Sequence, residues 1–294
     1  MKKKSSFSTR GQRADIGPLE ISRMLPNRYA DAVGPFVFLD HIVPRIQSKI
    51  NKEGTGAHPH RGIATLSYVL NGEDEHFDSA GNYAKVHSGG VQWMNAGNGI
   101  IHDETLNYDS QSDSRLVHAF QFWINLPSEI KAKKPAYLSI EGSEVPRKDL
   151  PDGKGWIKVI VGTFEDLRSV IPNYSEQFLY HIHLEAGAIF AIAFANEIEV
   201  AAYLPEMPAI INDEIFNVGE FVEFDRKEGT IELKNEGQKA CDFILFGGEA
   251  YQEPIFAEGP FVMNSKLDTA IAYRDFYNGK YGKIDYEKQR SGAK

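Results

Sequence analysis

Residues 54–73 read GTGAHPHRGIATLSYVLNGE, and residues 95–106 read NAGNGIIHDETL. Each stretch places two metal-ligating side chains at i and i+2, His58 with His60 and His102 with Glu104. In a strand, such residues point to the same face, about 6.7 Å apart along the chain. Pro59 between the first pair is tolerable at a strand start or edge, where no ladder hydrogen bond is required of it. Gly97 and Gly99 precede the second pair and permit a turn that swings a strand inward. Between the pairs, LNGED (70–74) and SAGN (79–82) read as hairpin turns. The chain can therefore go out, return, and set the second pair beside the first in a small β-barrel. Three imidazoles and one carboxylate suit iron, nickel, copper, manganese or zinc, and ligand type alone does not choose among them. On a six-coordinate ion they leave two positions for a substrate and O₂ or water.

The same strand chemistry runs outward in both directions. PFVFLDHI (35–42), LVHAFQFWINLP (116–127), WIKVIVGTF (156–164), FLYHIHLEAG (178–187) and ACDFILFGGE (240–249) are short apolar runs bounded by Gly, Pro, Asn or Asp. Their spacing predicts an all-β sandwich or barrel. Helix is expected only in SEIKAKK (128–134) and LDTAIAYRDFYN (267–278). The stretch 127–155 is polar, carries four prolines and reads as a surface excursion or linker. It suggests two β domains, 1–135 and 136–294.

The bulk composition bounds the function. The 294 residues carry 41 acidic against 32 basic side chains, a net charge of −9, so no global field attracts nucleic acid directly. Cys241 is the one cysteine, which excludes an intrachain disulfide and a Cys-rich zinc site; within an apolar strand it reads as an inert core thiol. No apolar run approaches the ~18 residues of a membrane span, and the residues after Lys2–Lys4 form no secretory apolar region. A cytoplasmic location is expected.

GAHPHRGIATLSYVLNGEDEHFDSAGN, SGGVQWMNAGNGIIHDE, FQFWINLP, GPFVMNS and FYNGKYG together resemble the pirin family of the cupin superfamily. The match is close in the N-terminal half. In the C-terminal half it rests on FGGEAYQEPIFAEGPFVMNS and the tail. The resemblance implies a bicupin: two antiparallel jelly-roll β-barrels packed face to face, with few short helices and a metal only in the N-terminal one. It implies His58, His60, His102 and Glu104 as ligands of one divalent metal per chain, Fe(II) first, with Ni, Cu, Mn, Co or Zn as alternatives. It further implies a quercetin 2,3-dioxygenase-like opening of flavonols with O₂, in which Glu104 takes the proton of the flavonol 3-hydroxyl. The alternative function is regulatory: the metal's oxidation state would tune binding to a transcription factor or a metabolic enzyme, without turnover. Many pirins carry Glu four residues after the second histidine of the first pair, where this chain has Ala64. Glu104 would then be the only carboxylate ligand.

The remaining histidines are read more plainly. His181 and His183 form a third His-x-His, but no histidine follows them to complete a site, so an exposed strand face is expected. His41, next to Asp40, is a candidate to orient a ligand imidazole. His76, His87 and His118 read as strand-face residues. Arg61, one residue past the first pair, should point away from the metal and form an ion pair. Trp93 and Met94 read as core packing.

Overall fold

In a computed structural model, residues 1–17 and 19–292 are described. The chain forms two compact units, each assembled from more than one stretch: one holds 14–21, 39–144 and 252–294, the other 1–13, 22–38 and 145–251. The chain passes from one unit's body to the other's at 144/145, where the sequence suggests 135/136, and the ends of the units are exchanged. The reason is strand pairing and packing. Ser5–Arg10 pairs with Glu220–Phe224, and the 252–294 tail packs against the 39–144 body, as Lys131 donating to the Val262 carbonyl at 2.8 Å shows.

Within the 39–144 unit, two antiparallel sheets carry the architecture. One runs Ala136–Ile140, Val91–Asn95, Ile63–Asn71, Leu116–Asn125 and then the strand entered at Leu39. The other runs His58–His60, Ile100–Asn107, Glu73–Asp78, Tyr83–Val86. The Ala136–Ile140 strand lies inside the stretch read as a linker. It forms because five residues, with Tyr137 and Leu138 against Met94 and Trp93, extend the sheet past Val91–Asn95. Trp93 and Met94 are both buried.

The 145–251 unit repeats this plan. Its smaller sheet runs Ile189–Phe194, Gly229–Lys234, Ala209–Ile211, Glu214–Phe216. Taken in chain order, its strands occupy the first, third, fourth and second places, as those of the His58–Asn107 sheet do. The counterpart of the His58–His60 strand is thus Ile189–Phe194, which carries no ligating side chain. Ile192 and Phe194 instead join Ile231, Leu233, Phe243 and Leu245 in one apolar core. Each such side chain, fully buried, contributes about 1.5–3 kcal/mol.

Helices are few. Ser128–Lys131 and Lys266–Tyr277 lie where the sequence predicts them, the second capped by Ser265 Oγ accepting from the Asp268 amide. Tyr286–Gly292 was not expected. No helix among the described residues is long and apolar enough to cross a membrane.

Candidate metal centre

The Ile100–Asn107 strand lies between His58–His60 on one side and Glu73–Asp78 on the other. Register puts His102 opposite both His58 and Asp78, and Glu104 opposite His76. Because side chains alternate, His58, His60, His102, Glu104, His76, Asp78 and Asp74 all face one way. The turn ahead of this strand has positive φ at Gly97 (44°) and Gly99 (123°), and a Cβ on Gly99 would meet the Tyr281 ring at 2.1 Å. Glycine is therefore required there.

His58, His60 and His102 bring ligating nitrogens within 4.8 Å of one another. His58 Nδ1–H donates to the Gly56 carbonyl at 2.7 Å, and His60 Nδ1–H to the Pro260 carbonyl at 3.1 Å. Both rings thus keep the Nε2 lone pair free. His58 Nε2 lies 3.0 Å from His102 Nε2, an approach that needs a proton or a cation between two lone pairs. Burial, then His58, pushes His60 down to about 3; burial and the neighbouring histidines hold His102 well below the usual histidine range. Both rings are therefore neutral near pH 7, the form that binds metal. The donor set fits a divalent transition ion.

Glu104 stands on the other side of His102. Its carboxylate meets His76 and His102 within the same 4.8 Å limit. Ser67 Oγ donates to Oε1 at 3.0 Å, and Gln121 Nε2 donates to Oε2 at 2.8 Å. Ser67 and Gln121 are register partners on the facing sheet, so a polar row holds the carboxylate. A cavity of about 90 Å³ adjoins, lined by His58, Glu104, Asp74 and Gln121 and walled by Ile16, Leu19, Ile42 and Phe120. Burial, then the Glu104 charge, raises the Asp74 carboxyl well above the usual range.

The other sequence readings sort as follows. Arg61 forms the expected ion pair, with Asp275 at 3.0 Å. His41 Nε2 faces His118 Nε2 at 2.8 Å, and the His41 ring stacks on Phe120 at the cavity wall. His181 is buried rather than on an exposed face, because both His181 Nε2–H and His183 Nδ1–H donate to Asp242 Oδ1, at 2.9 and 2.7 Å. Burial alone would raise the Asp242 carboxyl; the two imidazole donors outweigh it and hold it well below the usual range. His76 is the residue that sequence reasoning missed. It is buried beside His102 and Glu104 rather than on an outer face. The alternation of Asp74, His76 and Asp78 in EDEHFD was the available signal, readable only once the pairing register is known.

Two antiparallel β units of the same strand plan, one bearing a histidine cluster and the other an apolar core, define a bicupin metalloprotein. Residues 19–124 match the pirin family, and residues 179–282 match the pirin C-terminal cupin domain. A pirin-like protein of Caulobacter vibrioides is 32% identical over 280 residues, covering 92% of each chain. Pirin of Rattus norvegicus is 31% identical over 233 residues, covering 76% of each. The crystal structure of quercetin 2,3-dioxygenase from Acinetobacter baumannii superposes with a TM-score of 0.88 at 27% identity, over 97% of this chain and 100% of that one. The chain belongs to the pirin family.

Proposed function

We propose that this pirin holds one divalent metal, Fe(II) first among candidates, on His58, His60, His102 and Glu104, and opens flavonol-type aromatic substrates with O₂. The observation that carries the reading is the three-histidine cluster beside a cavity that Glu104 also lines. The likeness to a quercetin 2,3-dioxygenase supports the reaction type. When bound, the metal supplies a Lewis-acid and redox centre that lowers the pKa of a coordinating hydroxyl. The chain's own residues do the rest. Glu104 accepts the hydroxyl proton at a carboxylate oxygen, while Ser67 and Gln121 fix its orientation. Ile16, Leu19 and Phe120 offer apolar contact to a flat ring and keep water away. The single buried cysteine accords with a cytoplasmic setting.

A second reading is favoured by the cavity's size. About 90 Å³ admits a few waters, well below the ~300 Å³ of small-molecule sites. A flavonol therefore requires the wall at Ile16 and Leu19 to shift. If it does not, the metal serves a regulatory surface that meets a protein partner. The test pairs elemental analysis with a quercetin-plus-O₂ assay on anaerobically iron-loaded protein. One metal per chain and flavonol loss, both abolished in His60→Ala, are expected. One metal per chain without turnover for any loaded metal selects the regulatory reading, and no metal overturns both.

A further inference from the structure

The Ile189–Phe194 strand, IFAIAF, is the last of its sheet, and its outer edge meets no other strand among the described residues. Exposed sheet edges are ordinarily blunted by charge, proline or shortness. The outer strands Arg147–Asp149 and Tyr83–Val86 carry such charge, and Glu214–Phe216 is three residues long. IFAIAF has six apolar residues and none of these devices, although Ile189 is 50% exposed and Ala191 and Ala193 are exposed too. A cleft of about 450 Å³ runs along it. Every residue from Phe190 to Ala195 lines this cleft, as happens at a strand's edge rather than over one face, since successive side chains leave by opposite faces. The cleft floor is aromatic: Phe178 stacks on both Tyr180 and Phe194, with centroids 5.0 Å apart in each pair. Glu165 and Glu176 stand at the rim, and no lysine or arginine among the described residues lines it. Glu165 is paired with Lys148, whereas Glu176 is exposed and has no ion-pair partner among the described residues. Burial, then the Glu176 charge, raises the Tyr180 hydroxyl above its usual range, so that charge is felt at the floor.

The 39–144 unit shows how such an edge is covered. Its counterpart strand, His58–His60, runs on into Arg61, which pairs in parallel with Phe261 of an extended segment. The Val262 amide donates to the Arg61 carbonyl at 3.1 Å, and Phe261 is buried. Ala195 follows Phe194 as Arg61 follows His60, and it lines the open cleft. We propose that the edge of Ile189–Phe194 receives an extended segment of a partner protein, which adds a strand there, sets an aromatic or large aliphatic side chain over the aromatic floor and a lysine or arginine against Glu176. Strand addition draws affinity from main-chain hydrogen bonds and selectivity from the pockets that alternate side chains enter. A second copy of this chain is the poorer occupant, because two such edges meeting would oppose acidic rims. The metal centre, in the other unit, takes no part.

The test is a phage-displayed library of random heptapeptides, panned on the full wild-type chain. Enriched sequences should place aromatic or large aliphatic residues at alternate positions and carry a lysine or arginine. The best of them, synthesised, should bind Glu176→Lys and Ala193→Trp about tenfold or more weakly than wild type. Both substitutions fall on exposed residues, and thermal unfolding verifies the fold of each variant. N-methylation of one alternate set of peptide amides should abolish binding while the other set tolerates it, as an added strand requires. Hydrogen exchange at the amides of 189–194 should slow when the peptide is bound. Enrichment of no sequence, or of sequences that bind both variants as well as wild type, overturns the proposal. Binding that survives N-methylation of either set also overturns it, because no strand is then added. Exchange at 189–194 that is already slow without peptide, in step with a concentration-dependent dimer, assigns the edge to a second copy instead.

Discussion

Glu104 owes its chemistry to two neighbours. With Ser67 and Gln121 donating to its two oxygens, the carboxylate is oriented without being neutralised. Glu104→Gln keeps the side chain's size and removes the proton acceptor. It should keep some of the metal and lose flavonol turnover by about 100-fold or more; full turnover on the loaded variant would show that the base lies elsewhere. A second residue-scale prediction concerns the imidazoles on Asp242. His183 is raised above its ordinary value, first by its hydrogen bond to Asp242, so its contribution is full below about 6.5 and fades as pH rises through the higher folded value. His181 is lowered by burial, so its contribution fades as pH falls below about 6.5. Their joint contribution peaks between. Replacing His183 with Asn should lower the Tm most at or below about pH 6.5, and the difference from wild type should shrink toward pH 9 in a pH series of melts. The i, i+2 pairs at 58/60 and 102/104 were legible because each sits beside a Gly-rich turn and strand chemistry separates them. His76 was not, because a lone histidine among acidic residues looks like a solvated hairpin face until cross-strand register is known.

A turn sets where His102 and Glu104 of the Ile100–Asn107 strand arrive. At Gly99 an alanine would have to adopt φ 123° and place its Cβ 2.1 Å from the Tyr281 ring. Gly99→Ala should destabilise the protein by about 2–4 kcal/mol and lower metal retention, measured by denaturant titration and elemental analysis. Unchanged stability would mean that the turn relaxes freely. Most strands were legible from alternation and turn residues. Ala136–Ile140 was not: lysines and Pro135 before it and Glu141 after it hide five residues whose pairing comes from the exposed edge of Val91–Asn95. Tyr286–Gly292 was also hidden, since its sequence shows no apolar period. Tyr286 donating to Asp103 Oδ2 at 2.8 Å and Gln289 donating to the Asp78 carbonyl at 2.8 Å anchor it instead.

Across the whole molecule, one strand plan is used twice with different interiors. Cys241 belongs to the apolar version, and burial pushes its thiol up to about 12. A thiol reagent should therefore label no cysteine in the native protein and one per chain in denaturant; rapid native labelling would mean that this core opens. The two-domain, all-β plan could be read from the spacing of apolar runs. The exchange of chain ends could not, because it depends on which sheet edge the first end reaches and on what the last one packs against. Its consequence falls on biosynthesis. The carbonyl that orients His60 belongs to Pro260, and the partner of Arg61 is Asp275, both some 200 residues downstream. Synthesis runs from the N-terminus, so these histidines are made some 200 residues before the segment that completes their surroundings. A chain cut short before Pro260 should therefore hold metal less tightly than one that includes residues 252–294, a difference that elemental analysis of the two would read.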